Sequence, residues 1–363
     1  ANYRFFKRDE LVSIIDGTMP MAPEPYFWLG QERHLADVNQ HDAVYGTTAS
    51  QRHNLSISGG NDKVVYRTSF GYNNERSPID FVYDGAKRFN FRTNLSYQMN
   101  EMLGADFSVS YDDRLIDGPL QGVGEGVQDM YIFPLYNPMG QYYDTFGGNN
   151  MLAKLDEGGR TRSKDRILRL GGRVNLDLDK YVKGLSFNYD LNVGLQNTER
   201  TERQTSVTMY DWEGNVSYTP TTLLNSFIKL YQTEDITLMH SLQGNYRFAV
   251  GKNNFGLTVG ATAQKDEDTR NFMSRSNMAS DELDHINTGD ITTALNGGSV
   301  TNSSGNKFNT GISTIGLVSF LGRFNYDYNS TYLFEAIARR DGSSRLHPDY
   351  RWKNFFGGSA GVR

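Results

Sequence analysis

Hydrophobic and polar residues alternate along this chain with a period of two, in runs of about 8–12 residues, the spacing of a β-strand with two unlike faces. In one run Phe89, Phe91, Thr93, Leu95 and Tyr97 share a face, opposite Asn90, Arg92, Asn94, Ser96 and Gln98. The next run sets Leu103, Ala105, Phe107, Val109 and Tyr111 against Gly104, Asp106, Ser108, Ser110 and Asp112. Two more place Leu168, Leu170, Val174, Leu176 and Leu178, then Leu185, Phe187, Tyr189, Leu191, Val193 and Leu195, opposite polar neighbours. With Asn54–Ser58, Val64–Tyr72, Ile236–Phe248, Phe255–Ala263, Val318–Tyr328, Tyr332–Ala338 and a segment entering at Phe355, the pattern predicts about eleven strands.

The polar faces carry charge at mid-strand, in Arg92, Asp106, Arg173 and Asp190. Alternation fits a soluble sandwich, which turns such faces to bulk water, as well as a membrane barrel, which turns them into a wet lumen. The connectors decide between the two. Short ones at Gly59–Asp62, Asn100-Glu101, Lys183-Gly184, Gly251–Asn254 and Asn329-Ser330 alternate strictly with long ones at 73–87, 113–164, 197–234, 265–314 and 341–353. Tight turns on one rim and long loops on the other are the mark of an outer-membrane barrel. The expected class is therefore all-β, a transmembrane antiparallel β-barrel. Residues 1–49 read as an early barrel or extracellular loop region with a helical turn near Asp9–Ile15. Residues 50–363 read as the first half of the barrel wall. The direction of the chain implies one more upward strand, in or before residues 1–49.

Composition supports this reading. Only 37% of the chain is hydrophobic, yet it holds 22 Tyr, 21 Phe and 37 Gly. That is an apolar-poor, aromatic-rich balance suited to a wall wetted on one side. No apolar run reaches the ~20 residues of a transmembrane helix, which leaves a closed barrel as the way to satisfy backbone groups in lipid. A net charge of −5 gives no support to nucleic-acid binding. With no cysteine there is neither a disulfide framework nor a Cys-ligated metal. The opening Ala1-Asn2-Tyr3-Arg4 shows no signal peptide, so the sequence reads as an internal piece of a longer precursor. Tyr72, Tyr97, Tyr111, Tyr326, Tyr328 and Tyr332, near strand ends, are expected to form an interfacial girdle.

Motifs for chemistry are weak. Gly122–Gly126 resembles part of a phosphate loop but lacks the GK[ST] ending and the following helix. His34, His41, His53, His240, His285 and His347 show no paired metal-ligand spacing, and His240, within a strand, suits packing or lumen polarity. Asp281, Glu282, Asp284 and Asp290 miss the Ca²⁺-loop register and read as a solvated acidic loop, with an adventitious Ca²⁺ site as the alternative. No catalytic, cofactor or metal residue is assigned, and the ligand contacts stay open.

Two stretches carry a resemblance. One is His53–Lys63 with Tyr66 and Gly71-Tyr72. The other is Ala338–Arg345 with Arg351-Trp352 and Gly357–Arg363. With Lys87–Asn94 they resemble the SusC/RagA-like TonB-dependent transporters of Bacteroidetes-type Gram-negative bacteria, in order and spacing from about residue 40 onward. Lys353-Asn354-Phe355-Phe356 departs from the family's usual Gly-x-Phe-Pro run. The resemblance implies a 22-stranded barrel with a plug and a TonB box, of which this chain would be about half the wall. It also implies a non-enzymatic importer of glycans or oligopeptides, whose long loops meet a SusD-like surface lipoprotein. A dimer of transporter–lipoprotein pairs is compatible with it. The expected partners are that lipoprotein, the TonB complex, outer-membrane lipid and the oligomeric ligand. The alternatives are a structural or secretion-associated outer-membrane scaffold without active import, and a passive porin.

Overall fold

The computed structural model describes residues 38–121, 133–144, 150–218, 226–280, 285–289 and 310–363, with isolated short pieces elsewhere. One eleven-stranded sheet dominates it. In chain order its strands are β1 (Gln51–Gly60), β2 (Val64–Arg76), β3 (Gly85–Gln98), β4 (Leu103–Pro119), β5 (Arg160–Asp177) and β6 (Leu185–Gln204). They continue as β7 (Phe227–Val250), β8 (Asn253–Ser276), β9 (Gly311–Tyr328), β10 (Tyr332–Ser343) and β11 (Trp352–Val362). Each pairs antiparallel with its neighbours in sequence, so the sheet is an uninterrupted meander.

All eleven expected strands are present, and most run further than the alternation showed, chiefly at their long-loop ends. β7 and β8 each have 24 residues, against the ~9–11 that cross a bilayer. The extra length falls in stretches such as Lys265–Asn271, where both faces are polar. Such a segment stands in water on either side, so no periodicity marks it. The expected loops 113–164, 197–234 and 265–314 shrink accordingly to 120–159, 205–226 and 277–310. The segment entering at Phe355 is a complete strand from Trp352.

Pairing register joins the apolar positions into continuous rows. One runs Gly59, Tyr66, Leu95, Phe107, Gly172, Leu191, His240, Ala263, Val318, Gly342 and Trp352. Another runs Phe91, Tyr111, Leu168, Leu195 and Ile236. On this face Leu55, Phe107, Leu242, Val259, Phe320 and Phe356 are exposed, the last at 81%. An apolar surface of this extent belongs against lipid. All six tyrosines expected in the girdle lie on it, Tyr97, Tyr326, Tyr328 and Tyr332 toward the turns. Near the turns the girdle continues as a ring ladder: Tyr246–Phe248, Phe248–Phe255 and Phe255–Tyr326 centroids are 5.2, 4.8 and 5.2 Å apart.

His240 sits in the apolar row between Leu191 and Ala263, not in the lumen. The sequence alternates Met239 inward and His240 outward, and its ring is held by the Tyr189 hydroxyl at 2.7 Å. That hydrogen bond gives the outward imidazole a polar partner.

The turns are built for tightness. Asn329 and Ser330 both adopt positive φ, and Thr331 N–H donates to Tyr328 C=O at 2.9 Å. This handedness matches the twist of paired strands. Gly184 has φ +83°, and a Cβ there would lie 1.8 Å from the Arg247 carbonyl oxygen. The upward strand expected before Asn54 has no counterpart among the described residues of 1–49. These hold a short ribbon, Tyr26–Trp28 with Gln31–Arg33, and a helix α1 (Gln40–Val44).

Adjacent residues of one strand should therefore respond oppositely to charge. Val193→Arg, on the lipid side, is expected to cost about 2–4 kcal/mol of folding stability in vesicles. Asn192→Arg, on the other face, should leave the urea midpoint near the parent value. Gly184→Ala should lower that midpoint, because the methyl group meets backbone rather than a movable side chain.

Candidate lumenal wall and loop cap

The face opposite the lipid rows is polar and concave. Cavities of about 1100, 490 and 390 Å³ open on it. Several of its charges are matched by partners on the same or the adjacent strand. Arg173 donates to Asp190 at 2.5 Å, and Asn175 to Asp106 at 3.0 Å. Arg88 makes a forked contact with Asp112, the shortest bond at 2.6 Å. Arg323 pairs with Glu335, and Arg339 with Asp341 at 2.6 Å. Arg92, Asp106, Arg173 and Asp190, the mid-strand charges expected in a wet lumen, all lie on this face. Neighbouring groups of opposite sign line a polar wall without leaving a large single-sign field.

Above the long-loop rim, side chains from separate connectors form a compact cap. Its core is Val44, Ile79, Leu135, Met151, Leu152 and Leu155, all buried, with Val38, Tyr45, Phe81, Val82 and Tyr142 packed around them. Ala153, Val207 and Met209 make a second buried group beside it. Most of the buried apolar side chains of the described chain are here, since the sheet spends its own on lipid. The helix α2 (Met151–Glu157) presents Met151, Leu152 and Leu155 to this core.

Three buried polar side chains tie the cap together. Asn150 caps α2: its Oδ1 accepts from Ala153 N–H at 3.2 Å, while Nδ2 donates to the carbonyls of Leu135 (2.7 Å) and Tyr143 (2.9 Å). Asn137 accepts from the backbone of Met139 and Gln141 and donates to Asp211 C=O at 3.0 Å. Asp144 accepts from Gly148 N–H at 2.8 Å and from the Ser217 hydroxyl at 2.9 Å. Buried amides and carboxylates hydrogen-bonded in this way fix loop geometry, because breaking one leaves orphaned groups in a dry place. The described parts of these two connectors, 133–144 and 150–159 with 205–218, are thus joined, also by Tyr143 and Tyr210 backbone pairing. His34 belongs to it as well. Its ring stacks on Trp212 at 4.0 Å, and the His34 backbone N–H donates to the Tyr143 hydroxyl at 3.0 Å.

Burial shapes titration within the cap. It pushes the Tyr142 phenol well above its ordinary range, reinforced by the hydrogen bond it donates to Asp156 at 2.6 Å. Tyr136, stacked on Tyr142, is raised by burial in the same way, and burial lowers the Lys154 ammonium. The Tyr142 phenol thus stays protonated and donates to Asp156.

The Gly122–Gly126 run and most of the acidic cluster, Asp281, Asp284 and Asp290, lie outside the described residues. Among the described residues no cluster of His, Cys, Asp or Glu is placed to hold a metal. The cap residues Asn137, Asn150 and Trp212 carry no motif. An N-cap Asn before the apolar run Met151–Leu155 was the one local signal available.

Two unlike faces, one meander and alternating rims define a section of transmembrane β-barrel wall. No family model matches the chain. TonB-dependent receptor P26 of Formosa agariphila is 23% identical over 86% of this chain and 30% of its own length. TonB-dependent receptor SusC of Bacteroides thetaiotaomicron is 23% identical over 97% of this chain and 35% of its own length. The structure of the RagAB peptide transporter superposes over 89% of this chain and 35% of that one, with TM-score 0.67 and 19% identity. The chain spans about a third of the length of these relatives. The chain is thus similar in sequence to these TonB-dependent receptors, and it shares the fold of the matched section of the RagAB structure.

The cap should loosen without the wall. Asn150→Ala is expected to cost about 1–2 kcal/mol locally, and Leu155→Ala about 2–5 kcal/mol. Limited proteolysis should then cut within residues 120–159 faster, while the heat-modified gel mobility of the barrel stays unchanged.

Proposed function

We propose that this chain forms wall and loop cap of an active outer-membrane importer of oligomeric nutrients, glycans or oligopeptides. It would work with a SusD-like surface lipoprotein and draw energy through TonB. Residues 50–363 would be the first half of the wall, and residues 1–49 would belong to the early barrel and its outer loops. The chain contributes no covalent chemistry in this reading.

The observation that carries it is the division of labour between the two ends of the strands. One rim ends in tight turns such as Asn329-Ser330, and the other supports a cap with its own buried core. A passive pore needs no such investment in ordered loops, whereas a rigid scaffold that presents loops is how recognition surfaces are made. The similarity to SusC and to the RagAB peptide transporter supports the same reading. Oligopeptide and glycan ligands both suit a cap that displays Trp212 and Tyr136, since aromatic rings stack on either.

Replacing residues 121–158 with a short Gly-Ser link would leave β4 and β5 paired, because Pro119 and Arg160 are register partners. Uptake of the nutrient and co-purification of the lipoprotein are both expected to fall to background in this variant. Unchanged uptake with unchanged complex formation would sink the proposal.

A further inference from the structure

One sector of the lumenal wall gathers three arginines that make no ion pair among the described residues. Arg92 on β3 and Arg169 on β5 stand on either side of Ser110 in a single register row, which continues through Gly194 and Thr237 to Asp266. Arg67 lies one step below, in the row of Asn94, Ser108, Gly171 and Asn192. Among the described residues none of these three guanidiniums has a carboxylate in salt-bridge contact. Arg88, Arg173, Arg323 and Arg339 on the same face each have one. Ion pairs flank the sector on either side along the strands, at Arg88–Asp112 and Arg173–Asp190.

The sector is also hollow. A depression of about 490 Å³ opens there, with Arg92, Arg169, Asn94, Ser110, Asn192 and Gln196 among its polar lining and no aromatic side chain in it. Its floor is small: a Cβ at Gly171 would meet the Ser108 hydroxyl at 2.4 Å. Asp235 bounds the far side, opposite Asp268 in register, whose carboxylate is already held by Arg270 at 2.8 Å. A neutral sugar would be expected to find a ring to stack on, and this hollow offers none. Two planar guanidiniums with amides and hydroxyls between them suit a carboxylate or sulfate, which accepts forked, charge-assisted hydrogen bonds.

We propose that Arg92 and Arg169, assisted by Arg67, form a lumenal subsite for the anionic groups of a carboxylated or sulfated oligomer on its way through the barrel. This rests on the importer reading and narrows its substrate class. The arginines would act by holding charge along the path, and the mixed surroundings would keep the hold loose enough for release.

The test uses the full transporter polypeptide that contains this chain, purified in detergent. Calorimetric binding of oligogalacturonate is compared with a neutral malto-oligosaccharide of equal length. The expected result is salt-sensitive binding of the acidic oligomer, weakened about tenfold or more in Arg92→Gln/Arg169→Gln, the scale of lost charge-assisted hydrogen bonds. Arg173→Gln, outside the hollow, should not weaken it. Equal binding of acidic and neutral oligomers, or full binding by the double variant, would overturn the proposal. So would a wild-type protein that binds no acidic oligomer while the double variant unfolds at lower temperature, since the arginines would then be holding an acidic part of the protein itself. TonB-dependent uptake in cells is scored separately. Loss of the importer reading would appear there as no uptake of any oligomer, with the binding difference still present.

Discussion

A backbone that crosses lipid must spend every N–H and C=O on another strand, because nothing else there will accept them. The rest of this structure follows from that constraint. The meander of β1 to β11 satisfies it with nearest-neighbour pairing, and pairing in turn locks the faces. Once Phe91 is opposite Tyr111 and Tyr111 opposite Leu168, the apolar residues of each strand can only face the same way. A slip of one residue would turn Leu191 inward and Asn192 out to lipid, so the alternating sequence holds the register that the hydrogen bonds propagate.

With its apolar residues committed to lipid, the sheet has none left for a core of its own. Ordinary burial is moved to the loops. Leu155, Met209 and Val44 are nearly inaccessible, whereas Leu55, Phe107 and Val259 are exposed. The cap is therefore the part of the chain held together as a soluble protein is, by packing around α2 and by the satisfied amides of Asn137 and Asn150. Wall and cap answer to different solvents.

The sequence disclosed what lipid dictates and little else. Every strand was legible between its two solvent boundaries, and the Phe89–Tyr97 alternation located β3 almost completely. Lys265–Asn271 escaped notice because a strand in water on both sides has no hydrophobic period. The cap escaped because its contacts join residues as far apart as Asn137 and Asp211, a separation that no local pattern records. His240 was open to two readings until the register put it between Leu191 and Ala263. Arg92 was visible as an inward charge, but its partnership with Arg169 needs two strand pairings to appear.

The central claim is that one face of this sheet meets lipid and the other meets water. The chain has no cysteine, so single cysteines can be placed along β6 and spin-labelled without background. In vesicles, labels at positions 191, 193 and 195 should be relaxed by oxygen, which partitions into lipid. Labels at 192, 194 and 196 should be relaxed by a water-soluble nickel complex. A period of two in the ratio of these accessibilities along β6 is the predicted result. Equal nickel accessibility at all six positions would contradict the account.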